Sequence, residues 1–132
     1  MVFLLSLKRL DQKAAFMQLA GHVMTADGVI HENEQHMLGL MRRELDLPDG
    51  FQCPALSVEE SLAHFDTYEE RTSVILELIA LALSDGFIHP AEHCVIGRAV
   101  EVFGYPRERV ASIENWVRRY CELVKEATRF FA

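Results

Sequence analysis

One eight-residue phrase occurs twice in this 132-residue chain, and that repetition limits the folds open to it. Residues 27–34 read Asp-Gly-Val-Ile-His-Glu-Asn-Glu, and residues 85–92 read Asp-Gly-Phe-Ile-His-Pro-Ala-Glu. Asp27, Gly28, Ile30, His31 and Glu34 recur as Asp85, Gly86, Ile88, His89 and Glu92, all at the same offset along the chain. The offset reaches beyond the phrase. Gly39 matches Gly97, and Pro48 matches Pro106. Apolar positions also correspond: Phe16 with Val74, Val23 with Leu81, Leu38 with Ile96, Leu45 with Phe103. A supersecondary unit used twice must bury its apolar face against its own copy.

The residue types explain the phrase as a helix–helix corner. Glycine supplies the left-handed residue that ends a helix. Ile30 and Ile88 staple the turn to the core, with His31 and His89 at the cap position. Glu34 and Glu92 fall three residues later, where a carboxylate reaches back to the cap N–H and meets the positive end of the helix dipole. Pro90 suits the first helical position. Two features exceed this structural job. Histidine is a poor cap beside Ser, Thr, Asp or Asn. Asp27 and Asp85 have no required role before the glycine. Asp, His and Glu gathered at one corner, twice, also make a cation-binding set.

Helical periodicity dominates elsewhere. Phe16, Leu19, Ala20, Val23 and Met24 form one buried helix face, with Asp11 as its expected N-cap. A second helix runs through Met37, Leu38, Met41 and Leu45 until Pro48-Asp-Gly50. Ser57-Val-Glu-Glu60 spells a capping box for a short helix ending near His64. The next helix, about 68–83, is apolar over Val74–Leu83 except at Glu77, as expected for the buried centre of a bundle. Val95, Ile96, Ala99, Val100 and Phe103 mark another helix, stopped by Gly104. Val110, Ile113, Val117, Tyr120, Cys121, Val124 and Phe131 stripe the last. No stretch alternates as a strand does.

The expected architecture is therefore all-α and a single domain over 1–132. Repeat 1 covers about 11–48, repeat 2 about 69–106, and a closing helix about 106–131. Net charge is −7, which argues against a nucleic-acid partner because phosphate binding needs a basic face. The apolar start, Met1 to Leu7, is too short to span a membrane and lacks a signal-peptide pattern. Cys53, Cys94 and Cys121 form no C-x-x-C pair and suit free thiols in a reducing compartment. A cytoplasmic protein without membrane insertion is expected.

The doubled Ala/Ser-Asp-Gly-x-Ile-x-x-x-Glu phrase, each copy closing an apolar helix, resembles the TerB-like family, named for tellurite-resistance TerB. The resemblance covers about residues 11–105. It implies a bundle of about seven helices and a non-enzymatic module working with protein partners in stress-response assemblies. It also implies a divalent-metal site built from the two loops, with Asp27, Glu34, Asp85 and Glu92 as ligands by position. His31 and His89 depart from the family pattern, and imidazoles there favour zinc, nickel or copper.

Other readings of the same residues are open. In an EF-hand register, positions 1 and 3 fall on Val23 or Leu81 and Thr25 or Leu83, without carboxylates. His89-Pro-Ala-Glu-His93 spells the inverted zinc-protease motif, so a small zinc hydrolase using His89, Glu92 and His93 is an alternative. A metal-free helical scaffold is another. Glu77 is a candidate to join the loop carboxylates. Cys94 is expected in the core, as are Met17, Met24, Met37 and Met41. His22 and His36 read as partly exposed helix residues, and Trp116 as a mark of a partner surface.

Overall fold

Each helix begins and ends where backbone chemistry dictates. A computed structural model describes residues 2–26, 32–48, 50–83 and 88–131. Among them are six α-helices: α1 Leu10–Thr25, α2 Glu32–Glu44, α3 Val58–Leu62, α4 Tyr68–Ala82, α5 Pro90–Phe103 and α6 Arg107–Ala127. Short 3-10 turns, Val2–Ser6 and Thr128–Phe131, flank them. No strand occurs among the described residues. The count is six rather than about seven, because the segments at the two ends are single 3-10 turns.

The Ser57 capping box forms as its spelling predicts. The Ser57 N–H donates to Glu60 Oε1 at 3.0 Å, and the Glu60 N–H donates to Ser57 Oγ at 3.1 Å. A second box opens α4, where the sequence reading named none. The Thr67 N–H donates to Glu70 Oε1 at 3.0 Å and the Glu70 N–H to Thr67 Oγ1 at 3.1 Å. Its pattern, T-x-x-E before an apolar run, is the same signal. Since Thr67 is exposed, Thr67→Ala removes the cap and little else. It is expected to cost about 1 kcal/mol in urea unfolding with an unchanged slope.

Three boundaries differ from expectation. Asp11 lies inside the first turn of α1, and Arg9 is the N-cap. There Asp11 pairs with Arg9 at 3.1 Å and His64 at 3.0 Å. The hydrogen bond from His64, then that from Arg9, lowers its carboxyl to about 2. α2 ends before Pro48, through Asp46 in the left-handed region (φ 54°). The Leu47 N–H closes that end on Arg42 O at 3.2 Å. The closing helix, expected from about 106, starts at Arg107 with Pro106 as its N-cap. Gly104 stops α5 as expected, at φ 72°.

One apolar cluster holds the helices together. Phe16, Leu19, Ala20 and Val23 of α1 are buried with Val74, Ile75, Leu78 and Ile79 of α4. Leu4 and Leu7 of the N-terminal segment plug the same core. The apolar start of the chain is thus core material. Positions matched between the two halves share burial: Phe16 and Val74, Val23 and Leu81, Leu45 and Phe103.

Contacts around the centre are not symmetric. α1 packs on α2, α3, α4 and α5, and α6 lies across α4. Among the described residues, α2 makes no close approach to α4 comparable to that of α5 to α1. Over its final turns α6 also runs past the body. Of the expected stripe only Val117 is fully buried, while Val124 and Phe131 are exposed. Cys94, expected in the core, faces solvent.

Candidate functional site

The residues singled out in the sequence fall into two groups. Asp27, His31 and Asp85 lie outside the described residues, as does the Glu34 side chain. The expected convergence of the two corners therefore falls outside the described residues as well. α2 begins at Glu32, directly after His31.

His89 and Glu92 are described. His89 is the N-cap of α5 in extended conformation (φ −69°, ψ 148°), and Pro90 occupies the first helical position. The His89 N–H donates to Glu92 Oε1 at 2.9 Å, and Glu92 is buried. These two residues do the corner work that their spacing suggests. They do not by themselves make a cation site. No cluster of three or more His, Cys, Asp or Glu able to hold a metal ion occurs among the described residues.

The same geometry bears on the H-x-x-E-H spelling. A zinc helix needs both histidines on one helical face with the glutamate available as base. Here His89 precedes the helix, Glu92 closes the cap, and His93 is exposed. In the EF-hand register, Val23, Leu81 and Leu83 are core residues.

A different site emerges where α2 stands off from α4. A groove of about 300 Å³ runs between α2, α4 and α6. Met37, Leu40 and Met41 form one wall, Ala80 and Leu83 the floor, and Tyr120, Cys121 and Val124 the other wall. Three charged side chains enter it: Glu44, Glu77 and Lys125. This is the composition of a binding groove, largely apolar with a few polar groups.

Glu77 is its most unusual member. It is 1% exposed, so it does not reach solvent as a snorkelling side chain would. Burial raises its carboxyl from 4.5 to about 7, and the nearby charge of Glu44 pushes the same way. The charge of the N-terminal amine acts in the opposite sense, as do hydrogen bonds from that amine and from the Phe3 N–H. A carboxyl so shifted, in an apolar groove, is a physical signature of a functional site. Burial also pushes the Cys121 thiol up, which makes it a poor nucleophile.

The wall contributed by α6 is held in place by aromatic packing. Trp116 stacks on Tyr120 with centroids 5.6 Å apart, and Phe3 meets Trp116 edge-on at 5.7 Å. Trp116, expected to mark a surface, thus positions Tyr120. On the far side of α6 a wider cleft of about 620 Å³ lies against α5, with His93, Arg107 and Glu114 among its lining residues. Its carboxylate, on Glu114, reaches solvent and pairs with Arg118 at 2.9 Å, so nothing there matches the buried Glu77.

The sequence reading places Met37 and Met41 in the core and passes over Glu44. Met41 is buried and Met37 half-buried, yet both line the groove. Nothing in the local pattern of α2 distinguishes a residue packed on α1 from one facing a gap. The available signal is Glu77, the one charged residue of the apolar run Val74–Leu83.

Residues 55–115 match the family described as Tellurite resistance protein TerB. The match takes in α3, α4, the second corner, α5 and the start of α6; the first corner lies outside it. Nothing among curated proteins or solved structures matches the chain.

Proposed function

We propose, from the match of residues 55–115 to the family described as Tellurite resistance protein TerB, that this chain is a TerB-like, non-enzymatic docking module. Its groove between α2, α4 and α6 takes an apolar protein segment that carries positive charge. The single observation behind this reading is the groove's composition: methionine, leucine and aromatic walls around two carboxylates and one lysine. Methionine adapts to segments of different shape. The chain's net charge of −7 favours a basic partner. A tellurite-resistance or other stress assembly is the setting proposed from the family's description. No helix among the described residues is long and apolar enough to cross a membrane.

The reading is tested with a model peptide, a 14-residue amphipathic helix of Leu and Lys, and its Leu/Glu counterpart. The chain is used with Phe130→Ser/Phe131→Ser, so that its own exposed aromatics do not compete. Fluorescence anisotropy is expected to give micromolar binding of the Leu/Lys peptide only. Leu40→Glu/Ala80→Glu should weaken it at least about tenfold, as expected for charge buried in an apolar contact. Binding that ignores the groove variant, or equal binding of the acidic peptide, sinks the proposal.

A further inference from the structure

α6 continues past the groove as an unpartnered helix end. Leu123 is 62% exposed, Val124 48%, Phe130 86% and Phe131 88%. Paired aromatics this exposed in the 3-10 turn, beside the exposed apolar residues that end α6, form a patch that asks for a cover. Resting on the docking reading above, we propose that the occupant of the groove is the Arg129-Phe130-Phe131 tail of a second copy. Two chains exchange tails reciprocally about a two-fold axis that passes between Lys125 and Glu126.

The register favours this pairing. Setting α6 and the 3-10 turn after it against a second copy in antiparallel fashion about that point brings Phe131, by residue count, opposite Tyr120 of the other copy and Phe130 opposite Cys121. It places Ala127 level with Val124. Tyr120, Cys121 and Val124 are the residues that α6 contributes to the groove. The same register sets Arg129 level with Glu122, and Lys125 level with Glu126. Opposite charges and apolar residues thus fall together on one alignment. Such self-complementarity is what an isologous interface requires, because each patch must meet its own copy.

The stripe has the right spacing. Ile113, Val117, Tyr120, Val124 and Ala127 of α6 alternate steps of four and three, the seam of an antiparallel helix pair, and Phe131 follows four residues on in the 3-10 turn. Its first half lies on this chain's own body, where Val117 is fully buried. Its second half runs on with Ala127 half-buried and Phe131 exposed. The groove supplies apolar walls for the two phenylalanines.

Sedimentation equilibrium of the full chain from 1 to 100 µM tests the proposal first. A mass twice that of the chain is expected, with dissociation in the micromolar range. Phe130→Ser/Phe131→Ser leaves the core untouched and should raise the dissociation constant at least about thirtyfold; Leu40→Glu should act alike from the groove side. A second test reads the register. In a Cys53→Ser/Cys94→Ser background, Phe130→Cys is oxidised with copper phenanthroline. Cys121 and position 130 are separated by the end of α6 and part of its 3-10 turn, roughly 14 Å along the axis at about 1.5 and 2.0 Å per residue, too far for a disulfide within one chain. Two thiols lose their hydrogens to the oxidant, and a disulfide forms between Cys121 of one copy and position 130 of the other. Expected is a covalent dimer that Cys121→Ser abolishes.

A wild-type chain that sediments as a monomer at 100 µM overturns the proposal. So does a dimer insensitive to the phenylalanine changes, or a cross-link that survives Cys121→Ser. Failure here differs from failure of the docking reading. If the wild type is a monomer and the Leu/Lys peptide still binds the groove, the groove docks another protein and self-occupancy alone falls.

Discussion

Replacing Phe16 with alanine is expected to cost about 4 kcal/mol, more than truncation at any surface position of this chain. Phe16 is fully buried at the centre of α1, the helix that packs against α2, α3, α4 and α5. Removing a buried phenyl ring loses its transfer free energy and leaves a cavity that neighbours on four helices cannot all move to fill. Phe→Ala changes in cores cost about 3–5 kcal/mol. For a chain of this length that lowers the melting temperature by roughly 15 °C. Phe131→Ala is the control: it removes the same ring from a residue 88% exposed. In dilute, monomeric protein it should change stability by less than about 0.5 kcal/mol. Urea titrations of both, with unchanged slopes, check the pair. A Phe16→Ala loss below about 1 kcal/mol would mean that α1 is not the centre of the core.

Phe16 also shows why much of the fold is legible in advance. Its counterpart in the second half of the chain is Val74, and both are fully buried. Helical spacing, capping residues and Gly104 act over a few residues, so a linear string reports them. The Ser57 box and the His89-to-Glu92 spacing are of this kind. Where α2 sits relative to α4 is not. That gap depends on how α6 and the N-terminal 3-10 turn share the face of α4, which no local pattern records. Cys94 illustrates the same limit. It adjoins Val95 and Ile96, but one residue is roughly 100° of helix rotation. Ile96 turns inward while Cys94 faces out. In α6 the apolar stripe is real, yet periodicity cannot say where the body beneath it stops. The candidate site is visible only through Glu77, whose charge conflicts with its surroundings. Such local conflicts tend to collect at functional positions.

That conflict can be measured. Glu77→Gln is expected to stabilise the protein by about 2 kcal/mol at pH 8 and by almost nothing at pH 4. Burial raises the Glu77 carboxyl from 4.5 to about 7 in the folded chain. The folded state therefore holds the proton more tightly than the unfolded state. Its stabilising contribution is fully present below pH 4.5 and is lost as pH rises to about 7. One pKa unit corresponds to about 1.36 kcal/mol, which sets a ceiling of roughly 3 kcal/mol on the effect. Relaxation and water entering the groove bring it to about 2 kcal/mol. Glutamine keeps an oxygen that can accept the Phe3 N–H but carries no charge to desolvate. Glu44, Tyr120, Cys121 and Lys125 line the same groove. The N-terminal amine favours ionisation of Glu77 and Glu44 opposes it, so Glu44→Gln should move the midpoint of the pH dependence downward. Chemical denaturation between pH 4 and 8 gives both results. Wild-type stability should decline across pH 4.5 to 7 relative to Glu77→Gln, and the two curves should meet at the acid end. Parallel curves over that whole range would show that Glu77 ionises in the folded protein as it does in the unfolded chain. The groove would then lose the one feature that sets it apart from an ordinary packing gap.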